Sequence, residues 1–135
     1  MDVIISIKPQ YVKRILDGIK NFEYRKSVPK QRFNRVYIYE SAPTKKIVAY
    51  FKVKRIFSAS PNAIWNDTFG QSGLSRKDFD SYFLGKENAY ALEISELHVF
   101  KQPISPQKLW PEFKAPQSFC YVEGIKKNAK FCGLV

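Results

Sequence analysis

The hydrophobic pattern of this chain changes its period around Gly18, and that change limits the folds open to the chain. Before this point the apolar residues recur at helical spacing, on one stripe: Val12, Ile15, Leu16 and Ile19. From Phe22 to Arg25 they alternate with charged residues, as in a strand. Pro9 suits the first turn of a helix, and a glycine commonly ends one. The sequence therefore predicts a short helix over residues 9–17 that leads directly into a strand.

Strand patterns dominate the rest of the chain. They predict strands over residues 3–7, 35–41, 47–57 and 88–100, a bulge near Arg55, and a short extended segment over 118–123. One helix is predicted to begin at Ser60 and another at Ser75, where the Ser hydroxyl and the Asp78 carboxylate would form a capping box. This order predicts one α+β domain over residues 1–135, a small β-barrel whose ends are covered by short helices.

Positive charge is the strongest feature of the composition. The chain has 23 Lys and Arg residues against 12 Asp and Glu residues, a formal net charge of +11. Such an excess favours polyanions over a long range, and nucleic acid is the commonest polyanion in the cytosol. A basic surface that binds nothing remains the alternative. No stretch is apolar over the ~18 residues that a membrane span needs, so no membrane partner is expected.

Several kinds of chemistry find no support in the sequence. His98 is the only histidine, so Ser-His, Cys-His and multi-histidine metal arrangements are not indicated. Cys120 and Cys132 lack the spacing of a zinc site, and we expect free thiols in a reducing cytosol, with a disulfide between them left open. Gly-rich phosphate-binding sequences are missing as well. We expect no metal and no cofactor.

Residues 18–25 carry the pattern G-x-K-x-x-E-x-R, with its fixed positions at Gly18, Lys20, Glu23 and Arg25. Together with the later segments YIYESAP, FDSYFLG, AYALEI and APQSFCYV, this pattern resembles the ASCH domain family, which shares the PUA-like β-barrel. The resemblance implies a cleft lined by the pattern and an RNA or nucleotide-like ligand. It also implies a second possibility, because some relatives are amidohydrolases of N4-acylated cytidine and others are ribonucleases.

The amidohydrolase branch uses a Lys, a Thr and a distant Glu. The Lys falls on Lys20, but this chain has Glu23 where the Thr belongs, which argues against acylcytidine hydrolysis. The distant Glu corresponds to Glu93. If the protein is an enzyme, the resemblance therefore implies Lys20, Glu23 and Glu93 as its catalytic residues.

The candidate ligand-binding residues lie in the pattern and at the end of, or just after, the strand predicted over residues 35–41: Gly18, Lys20, Glu23, Arg25, Tyr39, Ser41 and Pro43. Lys20 and Glu23 form either a pocket pair or a salt bridge that pins the helix to the strand, and we expect both to be partly exposed at this turn. Tyr39 either stacks on a base or packs in the core. Gln117 and Ser118 offer further amide and hydroxyl contacts.

The candidate contacts to a nucleic-acid backbone are basic residues on and before the long strand: Lys45, Lys46, Lys52, Lys54 and Arg55. A merely solvated strand face is the alternative. The leading hypothesis is an RNA- or nucleotide-binding protein of RNA metabolism or of transcription or translation control. The alternatives are a small hydrolase, either N4-acylcytidine amidohydrolase-like or a ribonuclease, and a protein-interaction module that keeps a vestigial cleft.

Overall fold

The computed structural model describes residues 1–122, so Glu123 and Cys132 lie outside the described residues. The strands are β1 (Asp2–Ile7), β2 (Phe22–Arg25), β3 (Val36–Glu40), β4 (Lys46–Ala59), β5 (Ala89–Ile104) and β6 (Phe119–Val122). The helices are α1 (Pro9–Leu16), α2 (Pro61–Thr68), α3 (Arg76–Tyr82) and α4 (Pro106–Leu109), with a 3-10 turn at Phe69–Gln71. Among these residues, no helix has the length and apolarity required to cross a membrane.

The six strands form one curled sheet in the order β2-β5-β4-β3-β1-β6. β1 and β3 run parallel, and every other neighbouring pair runs antiparallel. The predicted α+β fold, a PUA-like barrel with short helices, is confirmed. Within residues 1–122, β2 and β6 are the two ends of this sheet, and no backbone ladder joins them where they approach each other; we call this place the seam.

β4 and β5 are longer than the pattern predicts and are both irregular. The pairing jumps from Val53 opposite Ile94 to Ile56 opposite Leu92, which confirms the predicted bulge near Arg55. β5 also continues through Pro103, a residue that the sequence pattern treats as a break. A proline is tolerated there because it lies next to the last residue of the strand, where few ladder hydrogen bonds remain to be lost.

One face of the sheet packs against α1. Alternate residues of the parallel strands β1 and β3 supply the apolar surface there, and Val12 and Ile15 of α1 cover it. The buried side chains of this cluster include Val3, Ile5, Ile7, Val36 and Ile38. Each such side chain contributes about 1.5–3 kcal/mol when it leaves water, so this cluster fixes α1 and the turn that follows it.

The opposite face of the same strands is aromatic and is covered by the segment around α4. Tyr37 lies 5.4 Å from Trp110 and Tyr39 lies 5.1 Å from Phe113, measured between ring centroids. Both tyrosines are buried. The alternation of Val36 and Ile38 with Tyr37 and Tyr39 therefore separates two cores, as the pattern predicts.

A third cluster holds α2 and α3 against β2. Phe79 and Phe83 pack edge-on against Tyr24, with centroids 5.0 and 6.4 Å away. The apolar side of α3 is thus fixed, and its other side must face outward from this cluster. At the start of α3 the Ser75 hydroxyl accepts from the Asp78 N–H as predicted. The reciprocal bond of a capping box, in which the Asp78 carboxylate would accept from the Ser75 N–H, is absent among the described residues.

The junction between α1 and β2 has the predicted glycine stop. α1 ends at Leu16, one residue earlier than expected, and Gly18 adopts a φ of +79°, in the left-handed region that glycine enters without strain. The chain then turns back through Ile19 and Lys20, whose backbone N–H groups both donate to the carbonyl of Arg14. This turn aims the Lys20 side chain toward β2 rather than toward solvent.

Candidate functional site

Arg25 spans the seam between the two ends of the sheet. Its guanidinium donates to the carbonyl of Ser6 on β1, at 2.9 Å, and to the carbonyl of Ser118 just before β6, at 3.3 Å. β6 reaches only to Phe119, opposite Ile5, so the Ser6 carbonyl lies beyond the end of that ladder. Side-chain hydrogen bonds of Arg25 thus connect the two ends of the sheet where no strand pairing does. A cavity of about 750 Å³ lies beside Arg25.

Three charged side chains of the G-x-K-x-x-E-x-R pattern form one network in the wall of this cavity. Glu23 forms an ion pair with Arg25 at 2.9 Å and another with the Lys20 ammonium at 3.6 Å. The relative exposures of Lys20, Glu23 and Arg25 are only 2%, 7% and 8%. The partial exposure expected from the sequence is therefore wrong, because Tyr24 and the loop before α3 cover this turn.

The Lys20 ammonium contacts three polar groups of the protein, two backbone carbonyls and one carboxylate. It donates to the carbonyls of Phe22 and Ser72, the latter at 3.4 Å, and it faces Glu23. It also lies 4.6 Å from the centre of the Tyr24 ring. Burial lowers the pKa of Lys20 from 10.5 to about 8, against the opposing effect of Glu23.

A glycine makes room for Lys20. A Cβ added to Gly73 would lie 2.4 Å from the Cβ of Lys20, and Gly73 has a φ of +67°. The same loop is fastened on both sides of Lys20, because Arg14 donates to the Gly73 carbonyl and the Asn21 N–H donates to the Gln71 carbonyl. No sequence signal links Gly73 to the pattern, which lies about fifty residues earlier.

Another part of the cavity wall is formed by α3. Asp78, Ser81 and Tyr82 line the cavity, at the i, i+3, i+4 spacing of one helical face. Lys26, the residue after β2, places its ammonium 4.7 Å above the Tyr82 ring. Burial raises the pKa of Tyr82, while the nearby Arg25 opposes that rise. This face could have been found from the sequence by asking which side of the helix Phe79 and Phe83 leave free.

Further cavity-lining residues come from both sides of the seam and from α1: Ser6, Ile7, Lys8, Tyr11, Ser27, Leu74, Gln117 and Ser118. Gln117 and Ser118 were expected as contacts, whereas Lys8 and Tyr11 carry no distinguishing pattern. The lining contains four cationic side chains, on Lys8, Lys20, Arg25 and Lys26, and two anionic ones, on Glu23 and Asp78. The cavity is therefore cationic overall.

Several residues that the sequence analysis predicts as site residues lie outside the cavity lining. Glu93 pairs with Phe22 across β5 and β2 and binds Arg55 at 2.9 Å, so its side chain lies on the other side of β2 from Glu23. Tyr39 is in the aromatic core, and Gly18 shapes the turn without lining the cavity. Ser41, Pro43 and Lys45 lie in the turn between β3 and β4, while Lys46, Lys52, Lys54 and Arg55 lie on β4. The structure brings Lys20, Glu23 and Arg25 together and leaves these residues outside the cavity lining.

The sequence and the fold of this chain both match known proteins. The family model described as "ASCH domain" matches residues 5–98, from β1 into β5, and so includes the whole G-x-K-x-x-E-x-R pattern. The chain belongs to the ASCH domain family. The resemblance inferred from the pattern is confirmed. The cavity of this ASCH domain is thus built from the matched region together with residues just before β6.

Individual relatives of this ASCH domain differ in length. An ASCH domain-containing ribonuclease of Zymomonas mobilis subsp. mobilis is 27% identical over 128 residues, which cover 90% of this chain and 84% of that protein. The large ribosomal subunit protein uL22 of Ureaplasma parvum serovar 3 is 29% identical, but this chain spans only 39% of its length. The crystal structure of an ASCH protein from Zymomonas mobilis superposes with a TM-score of 0.83 at 25% identity, covering 90% of this chain and 87% of that one.

Proposed function

We propose that this ASCH protein binds single-stranded RNA and takes one nucleotide into the cavity at the seam. The observation that carries the proposal is the buried Lys20–Glu23–Arg25 network in the wall of that cavity. Removing three charged groups from water costs several kcal/mol per ion, and an apolar cluster of similar volume is often as stable or more so. A need to present polar groups to a ligand accounts for this cost better than stability does.

The size and charge of the cavity support a nucleotide as the ligand. A volume of about 750 Å³ lies within the range of small-molecule sites. Lys8 and Lys26 are exposed and line the same cavity, so they are placed to contact phosphates. Single strands present unstacked bases whose edges side chains can reach, which favours single-stranded RNA over a duplex.

Photo-crosslinking tests where the RNA lies. A short RNA carrying 4-thiouridine would be irradiated with the protein, and the crosslinked peptides identified by mass spectrometry. We expect crosslinks in residues 20–27 and 74–82, because both segments contribute residues to the cavity lining. Crosslinks confined to β4, around Lys52 and Lys54, would overturn the cavity as the binding site and favour the basic strand face instead.

Ribonuclease activity is the second candidate, because one relative is a ribonuclease and because Lys20 has a lowered pKa. A Lys with a pKa of about 8 is partly neutral near that pH and can accept a proton. In this scheme the ribose 2′-oxygen loses its proton and attacks phosphorus, the bond to the 5′-oxygen breaks, and that oxygen gains a proton. The products are a 2′,3′-cyclic phosphate and a 5′-hydroxyl.

Product analysis separates cleavage from binding. RNA incubated with the wild-type protein should yield ends that carry the cyclic phosphate, and the rate should rise with pH toward about 8 as Lys20 loses its proton. The Lys20→Met variant should bind more weakly and form no cyclic ends. Intact RNA after prolonged incubation with wild-type protein would leave binding as the function.

A further inference from the structure

Asp78 differs from Glu23, the other anionic group in the cavity lining. Glu23 is held by Lys20 and Arg25. The two terminal nitrogens of Arg25 contact carbonyls and Glu23, while its buried Nε has no hydrogen-bond partner among the described residues. The Asp78 backbone N–H donates to the Ser75 hydroxyl, but among the described residues its carboxylate has neither a hydrogen bond nor an ion pair. Asp80, two residues along the same helix, instead binds the Arg76 guanidinium at 3.0 Å. Asp78 is exposed and lines the cavity, so its carboxylate oxygens are available there to a ligand.

A phosphate is not a suitable partner for these oxygens, because two anions repel. They require hydrogen-bond donors, and a carboxylate can accept two parallel N–H bonds at once. Among the four RNA bases only guanine carries two adjacent donors, at N1 and N2, on its Watson–Crick edge. Uracil offers one N–H between two carbonyls, while cytosine and adenine offer one amino group beside an acceptor or a C–H.

We infer that Asp78 selects guanine as the base that enters the cavity, by accepting from the N1–H and N2–H groups together. This inference rests on the proposed function and names the ligand of the same site. The position fits the role, because Asp78 lines the same cavity as the Lys20–Glu23–Arg25 network. Ser81 and Tyr82, on the same helical face, lie beside it to contact the rest of the nucleotide.

The test is a set of fluorescence anisotropy titrations at one fixed salt concentration. The RNAs are a nonamer of uridine and the same strand with a central guanine, cytosine, adenine or inosine. The proteins are wild type, Asp78→Asn and Asp80→Asn. The two variants lose the same charge from the same helix, so Asp80→Asn controls for the electrostatic gain that any lost carboxylate gives toward RNA.

We expect wild type to bind the guanine strand about tenfold more tightly than the uridine strand, since a good bidentate contact discriminates by ~1–3 kcal/mol. Inosine, which lacks the N2 amino group, should lose most of that preference. Asp78→Asn should bind the guanine and uridine strands within about twofold of each other, while Asp80→Asn keeps the wild-type ratio.

Equal affinity of wild type for all five strands, or a guanine preference that survives in Asp78→Asn, would overturn the assignment of Asp78 and leave RNA binding intact. Failure of wild type to bind any strand, even at low salt, would instead overturn the proposed function and this inference with it. The two failures are therefore distinguishable in one experiment.

Discussion

Lys20 makes its polar contacts inside the protein, and this burial changes what its removal should do. The sequence suggests a partly exposed pair with Glu23, whose loss would leave the stability almost unchanged. In the structure each member of the network is at least nine-tenths buried, and each has a partner of opposite charge. A buried charge left without its partner is far more costly than an exposed one.

Glu23→Ala should therefore be strongly destabilising, by about 3–5 kcal/mol, because it leaves Lys20 and Arg25 facing each other without a carboxylate. Urea unfolding followed by circular dichroism measures this change. Glu87→Ala, at an exposed site before β5, is the control and should differ from wild type by less than about 0.5 kcal/mol. If the two variants unfold at the same urea concentration, the network does not support the fold.

The lowered pKa of Lys20 also predicts how stability depends on pH. The folded protein releases the Lys20 proton near pH 8, whereas the unfolded chain holds it until about 10.5. Between these values the unfolded state binds more protons, so the free energy of unfolding rises with pH through this window. Burial raises the pKa values of Tyr24 and Tyr82, which gives the opposite slope near pH 10.

Comparing wild type with Lys20→Met isolates the lysine, since the tyrosines are common to both proteins. The stability of wild type relative to the variant should increase from pH 8 to pH 10. A constant difference over that range, measured by urea titration at several pH values, would mean that Lys20 titrates alike in the folded and unfolded chain.

At the scale of the elements, the sequence predicted the positions of helices and strands better than the pairing of the strands. Caps, helical stripes and alternation gave the positions of α1, α3 and the main strands, because those signals depend on neighbouring residues. The order of strands in the sheet, and hence the seam, depends on contacts distant in sequence. For that reason Lys20, Glu23 and Arg25 could be nominated from one short pattern, whereas Asp78 and Gly73 could not be connected to them.

The loop before α3 offers a direct test of how the site is assembled. Gly73→Ala should distort the site, because its new Cβ would meet Lys20 and its φ of +67° is strained for alanine. Gly70→Ala is the matched control, since nothing lies within 4 Å of the corresponding Cβ and its backbone is not in the left-handed region. We expect weaker RNA binding and a lower melting temperature only for Gly73→Ala. Equal behaviour of the two variants would show that the loop adapts.

For the whole molecule, the proposed RNA binding requires that some of the basic side chains behind the net charge of +11 contact phosphates. If Lys8 and Lys26 each neutralise a phosphate of a single strand, Lys8→Ala/Lys26→Ala should reduce the slope of log K against log salt by about 1.4, since each such contact contributes ~0.7. Lys52→Ala/Lys54→Ala removes the same charge from β4 and should leave the slope close to that of wild type. The opposite result would move the backbone contacts to β4, where the sequence pattern alone places them.

The cations at the seam also have a consequence for solubility. Among the described residues β2 and β6 are the edge strands of the sheet, and unpaired edge carbonyls invite pairing with another chain. Lys20 and Arg25 occupy three such carbonyls, on Phe22, Ser6 and Ser118. Replacing Arg25 with Leu should therefore release two of them and cause self-association, visible by size-exclusion chromatography as the protein is concentrated. Residues proposed to contact a ligand would then also keep the protein monodisperse, and selection for either property would preserve the other.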